Sequence, residues 1–525
     1  MSSTAGSYCL NSDIIHEICM VLVESLDKPP SQPHTGNPTP SDAVVSSIRT
    51  LHSLAQVSRQ CYLVVRPLLY AKICLWRADQ ITLLFRTLVH TPEVAGLINT
   101  ITVFEPFNWI TPSTTTTLSS PSTLEPGLPT SNFTPAMPRH GKQLWGNVYS
   151  RKPALAARFD REAPGTRDTT LYLLLVFHRL PALQTLRYNS YFRDEAKPTA
   201  HWIFTSLVQS LGRRAARKLF PNLKHLSISG LTCLGWAGFL ARILDLPMLK
   251  DLSLLAPGTC YSRLFTPSYA STTLRALRIT SPFALDNLTN LIGAVQRLEV
   301  LNYTIHLVGL MYSEYIDPIM QAVDAHKHTL TELALKPGRT LGDGESAGPT
   351  QHSFAAYERL QTLELFDVFV LPAAASYSHN PPTGAPVPLS ALLPRSLKTL
   401  EIHGIARPPS VECLWDSLRS LSSSVGDCNC DCEGEGELGG TGVAFPFLQS
   451  ITLHAHSHRR ELWLVDGFPD RARELAGLFG VNKAQFTYET FSDVAFRGLE
   501  CVGRCGCAHL GVQEETRWPR PEWLV

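Results

Sequence analysis

The chain has 525 residues, more than one ordinary globular core holds, so either several domains or an extended repeat architecture is expected. A hydrophobic share of 44% is ample for a packed interior, while charged residues at 17% fall below the usual quarter. The formal net charge of +1 gives no electrostatic basis for binding nucleic acid or an anionic membrane surface.

The opening, Met1 to Ser7, has neither the basic residue nor the apolar run of a secretory leader. The longest apolar stretch, Leu171 to Phe177, is far short of the ~20 residues that cross a bilayer. On this reading the 13 cysteines are reduced thiols, and a cytoplasmic and/or nuclear location is expected.

From residue 10 the pattern is helical. Leu10, Ile14, Ile18 and Leu22 fall on one helical face, with Asn11 or Ser12 available as an N-cap. A spacer from Asp27 to about Asp42 follows, holding Pro29, Pro30, Pro33, Pro38 and Pro40. Helical character returns at Ile48, Leu51 and Leu54 and continues through Val57 towards Ile73. Two or three short helices within 8–76 make a small core, marginal alone and often completed by docking.

Beyond this segment the pattern Leu-x-x-Leu-x-Leu recurs. A possible first copy lies at Ile98/Ile101/Val103 and a weak one at Leu183/Leu186/Tyr188. Good copies begin at Leu223, Leu249, Leu274, Leu298, Leu330, Leu360 and Leu397, and a weaker one at Leu448. From Leu223 to Leu298 they start 26, 25 and 24 residues apart, the period of a leucine-rich repeat. The last two apolar residues of each copy are two apart, so in a strand they point to the same side. Between strands the period changes to about 3.6. Leu285, Leu288, Leu291, Ile292 and Val295 share a helical face, as do Ile316, Ile319, Met320 and Val323, where Pro318 suggests a helix start nearby. Leu234, Phe239, Leu240, Ile243 and Leu244 precede Pro247, which ends their helix.

The fold class is therefore α/β. A solenoid over 92–463, with parallel strands and convex helices, follows the small helical domain, and 464–525 forms a C-terminal capping segment. Four segments rich in Gly, Pro, Ser or Thr interrupt the solenoid as surface insertions, at 111–168, 338–352, 372–394 and 422–443. The residues between and beside the inward leucines line the concave sheet. They change from His225, Ser227 and Ser229 to charged and aromatic side chains further along, and the candidate target-binding set is Arg278, Lys336, Glu364, Phe366, Glu401 and His403. The neighbouring insertions are the competing candidate for the same role.

Several constellations are weighed and set aside. Cys428, Cys430 and Cys432, with Cys501, Cys505, Cys507 and His509, fit the usual Cys-x2–4-Cys zinc spacing poorly, except for Cys501 and Cys505. His454, His456 and His458 alternate on a strand end and read as a solvated strand rather than a metal ladder. Arg213, Arg214, Arg217 and Lys218 read as a solvated basic helical face. No nucleotide-binding or hydrolase motif is present, so no enzyme activity, metal or cofactor is expected.

The segment Leu10-Asn11-Ser12-Asp13-Ile14, together with Leu54, Val57-Ser58-Arg59, Tyr62 and the ending Arg66-Pro67-Leu68-Leu69-Tyr70, resembles an F-box. Asn11 stands where that family usually has proline, and the spacer after Leu26 is long for it. Joined to the irregular repeats, the chain is similar to fungal F-box proteins with leucine-rich repeats. The resemblance implies a substrate receptor of an SCF-type cullin–RING ubiquitin ligase, with an F-box that binds a Skp-type adaptor and repeats that bind a target protein. Carried over by position, the adaptor-facing residues are Leu10, Asn11, Ile14, Ile15, Ile18, Leu54, Val57 and Tyr62, of which Leu10, Asn11 and Ile15 are expected to be most exposed. The other reading is a scaffold in which the helical segment only caps the first repeat.

Overall fold

A computed structural model of the chain describes residues 12–24, 42–75, 78–105, 167–190, 213–229, 236–255, 270–280, 285–305, 312–337, 352–366, 369, 387–403, 408–422, 425, 445–456, 468–481 and 484–491. Three helices open it: α1 (Ser12–Glu24), α2 (Asp42–Val57) and α3 (Arg59–Ala71). They close around Ile15, Cys19, Leu51, Cys61 and Val65, an interior separate from that of the repeats. Ser58 divides α2 from α3. Its extended backbone leaves the helix and its side chain accepts the Cys61 N–H at 3.1 Å, an N-cap that restarts the helical ladder.

The chain then passes directly from α3 into a parallel sheet. Its early elements are β1 (Lys72–Leu75), α4 (Ala78–His90), β2 (Thr100–Glu105), α5 (Arg167–His178), β3 (Thr185–Ser190), α6 (Arg213–Leu219), β4 (His225–Ser229), α7 (Trp236–Ile243), β5 (Asp251–Leu255) and β6 (Ala276–Thr280). Next come α8 (Leu285–Gly293), β7 (Val300–Ile305), α9 (Tyr312–Asp324), β8 (Glu332–Pro337), β9 (Thr362–Phe366), the single turn α10 (Leu389–Leu392) and β10 (Thr399–His403). The last are α11 (Pro408–Ser422), β11 (Ser450–His456), α12 (Phe468–Val481) and β12 (Gln485–Phe491). Among the described residues, twelve strands pair in chain order from β1 to β12, every pair parallel.

Register follows from the leucines. Leu226, Leu252, Leu277 and Leu301 are direct partners across β4 to β7, and each is buried. A one-residue slip would turn this whole row to the open face, so burial fixes the pairing. The carbonyl just after the first leucine of a copy adds a second device. Lys224 O accepts the N–H groups of Lys250 and Asp251 at 2.8 and 3.0 Å, and Lys250 O accepts those of Arg275 and Ala276 at 2.8 and 2.9 Å. The same bifurcated bond recurs from Asn99 to Lys398 and ties each repeat to the next through backbone alone, whatever side chain stands there.

Four expectations are corrected, and one helix is added. The sheet starts earlier than the second segment, since β1 lies within 8–76 and its Leu75 belongs to the repeat interior. The unforeseen α4 covers the first repeat with Ile81, Leu84, Phe85 and Leu88. Pro318 sits inside α9, which starts at Tyr312, rather than near its beginning. In the third insertion, Leu389, Leu392 and Leu393 are buried, so its end is part of the packed interior. The C-terminal segment is more than a cap, because α12 and β12 extend the sheet by one more unit. The body of each insertion lies outside the described residues.

Candidate functional site

The helical unit carries its apolar residues on two sides. Ile15 and Cys19 point inward, while Ile14, Ile18 and Val21, at i, i+4 and i+7, share the outward face of α1. Ile14 is 51% exposed and Val57, at the end of α2, 71%. Tyr62 and Leu63, in the first turns of α3, are exposed as well. Ile15 is only 2% exposed, which overturns the expectation that it faces a partner: it fills the unit's own core. Leu54 is half-buried against that core. Leu10 and Asn11 lie outside the described residues. Val21 and Leu63 were missed by sequence reasoning, although the i+7 spacing from Ile14 marks Val21.

The open face of the sheet, opposite the buried leucines, carries its charge in bonded groups. On β6, the Arg278 guanidinium donates to the Asp251 carboxylate of β5 at 2.5 Å, with His225 Nδ1 of β4 3.8 Å from the same oxygen. Further along, Glu364 of β9 and Glu401 of β10 are direct register partners, two carboxylates side by side. Each is met by cationic or imidazole donors. Lys336 Nζ lies 2.7 Å from Glu364 Oε2, His403 Nε2 donates to Glu364 Oε1 at 2.5 Å, and His454 Nε2 donates to Glu401 Oε2 at 3.3 Å. His403 and His454, also register partners, stack with ring centroids 4.1 Å apart and planes 8° from parallel. Burial pushes the Glu364 carboxyl up. The hydrogen bonds from His403 and Lys336 and the charges behind them outweigh that and hold it below the ordinary carboxylate value.

This geometry corrects two expectations. Glu364 and His403 are not exposed anchors, being 7% and 8% exposed and bonded to each other. His454 is not a solvated strand residue either: it is buried and stacked on His403. Arg278, Lys336 and Glu401 keep part of their surface in water. Phe366 sits opposite His403 in the β9–β10 register, and nothing more of its side chain is described. The side chains of His456 and of Arg213 and Arg214, and His458 with both cysteine clusters, lie outside the described residues. Arg217 bridges from α6 to Asp245, so the basic helical face is tied to the next repeat at that position.

No protein-family profile matches the sequence, and a search of curated proteins returns no match. Among the described residues, no helix is long and apolar enough to cross a membrane.

Proposed function

We propose that this chain is the substrate-recognition subunit of an SCF-type cullin–RING ubiquitin ligase. In this reading the three-helix unit is an F-box that binds a Skp-type adaptor, and the repeat sheet holds a target protein. The observation that carries it is the outward row Ile14, Ile18 and Val21 with exposed Val57, Tyr62 and Leu63, none of which belongs to the unit's interior among the described residues. Large apolar side chains left in water on so small a unit call for a partner. Each aliphatic one covered there contributes roughly 1.5–3 kcal/mol at full burial.

The alternative, a helical segment that merely caps the solenoid, is less well supported, because it gives the exposed row Ile14, Ile18 and Val21 no role. One observation favours it nonetheless: Tyr70 of α3 packs against the repeat interior, and the Asn99 N–H bonds the Ala71 carbonyl at 3.2 Å. Titration of a purified Skp-type adaptor into the intact chain decides between them. Ile14→Asp with Val57→Asp weakens a complex made through the outward row at least about tenfold and leaves a cap unaffected. For the target, the accessible part of the open face at Arg278 and Lys336 is the proposed reader, together with position 366 in the β9–β10 register.

A further inference from the structure

We propose that Glu401, His403 and His454 form a binding site for a divalent transition-metal ion of the zinc class, on the open face of β10 and β11. One ligand atom from each of these residues lies within 4.8 Å of the other two, and both histidines are buried. Two imidazoles and a carboxylate are a donor set suited to zinc, and three protein ligands leave a further position for water or for a donor from a bound protein. The inference rests on these side chains alone and stands or falls separately from the ligase reading.

Three features make the place more than a chance meeting of polar groups. The ligands stand at fixed register positions of a parallel sheet, so the backbone holds them near one another without any loop. Glu364 holds His403 Nε2 at 2.5 Å, the kind of carboxylate support that fixes the tautomer and orientation of a metal-bound imidazole. Lys336 also leaves room for a cation: it pairs with Glu364, while Glu401 is met by the imidazole of His454 rather than by an ammonium. In the stacked arrangement His454 donates to Glu401, and an ion takes the place of that proton.

The test uses the full chain, reduced and stripped with a chelator. Zn²⁺ is titrated in competition with a chromophoric chelator, and Co²⁺ is titrated as a spectroscopic probe. The chain has 13 cysteines, so the spectrum matters: a thiolate site shows an intense sulfur-to-cobalt charge-transfer band, and a site of imidazole and carboxylate does not. The expected result is one equivalent bound without that band, with affinity falling at least about tenfold in His454→Gln and in Glu401→Gln. Glu364→Gln, a positioning change, weakens it less. Circular dichroism checks each variant. Should His454→Gln unfold, the partly exposed Glu401 still gives the reading. Absence of binding, binding only with the thiolate band, or affinity unchanged in folded Glu401→Gln overturns the proposal.

Discussion

Substituting aspartate at Ile15 and, separately, at its neighbour Ile14 distinguishes the interior of the helical unit from its surface by one step of a helix. Ile15 is 2% exposed, so its removal forfeits nearly the full burial of an isoleucine, about 1.5–3 kcal/mol. A carboxyl in its place must stay charged or take up a proton among Cys19, Leu51, Cys61 and Val65, which adds roughly 1–3 kcal/mol. A core of this size supplies no more than ~3–5 kcal/mol, so the sum is enough to melt it. Ile14 is half in water already, and its aspartate points outward, so the change there is ~1 kcal/mol or less. Hydrogen exchange on the intact chain separates the two. Amides of α1, α2 and α3 lose protection in Ile15→Asp and keep it in Ile14→Asp, while those of β4 to β11 keep it in both because their interior is separate. Wild-type protection of α1 in Ile15→Asp refutes this reasoning.

Three further outcomes are expected. Glu364→Gln lowers stability at pH 7 by about 1–3 kcal/mol, because Lys336 and His403 lose a buried charged acceptor. The folded carboxyl lies below its unfolded value, so its contribution is present above pH ~4.3 and fades as pH falls through the folded value; urea midpoints of the two chains therefore converge in acid. His326 is buried, which pushes its imidazole down from 6.5 despite the opposing bond from Nε2 to the Ile292 carbonyl at 3.2 Å. The unfolded chain thus takes this proton first, stability falls as pH drops below 6.5, and His326→Gln removes that part of the midpoint-against-pH slope. On the open face, Arg278→Ala with Phe366→Ala reduces the proteins recovered by proximity labelling. Recovery that survives this pair but disappears when the insertions are deleted moves the reader to the insertions.

The repeats were legible because burial imposes them. Leu226, Leu252, Leu277 and Leu301 each need the same side of a strand, and a spacing of two residues declares which side that is. β1 was not legible as a strand, since Lys72-Ile73-Cys74-Leu75 continues an apparent helix and lacks a leading leucine. β12 was hidden for a similar reason: Phe486 is its only buried residue among those described, and aromatic and threonine neighbours replace the leucine pattern. Ile15 was misplaced because Ile14 and Ile15 are adjacent, and sequence cannot say which of two neighbouring isoleucines faces the core until Leu51, Cys61 and Val65 are in position. The histidine cluster was legible only as positions on one open face: Glu401 and His403 stand two residues apart, but His454 lies about fifty residues on, and its stacking on His403 follows from the β10–β11 register, which the intervening insertion conceals.

The account's central claim, that the outward row of the helical unit receives a Skp-type adaptor, is tested most directly by calorimetric titration of the purified adaptor into the intact chain. The account predicts a one-to-one complex that Ile14→Asp with Val57→Asp weakens at least about tenfold, the loss of roughly 1.4 kcal/mol or more of apolar contact, with the fold intact by circular dichroism. No heat of binding from the wild-type chain, with an established F-box giving a normal isotherm against the same adaptor, contradicts it.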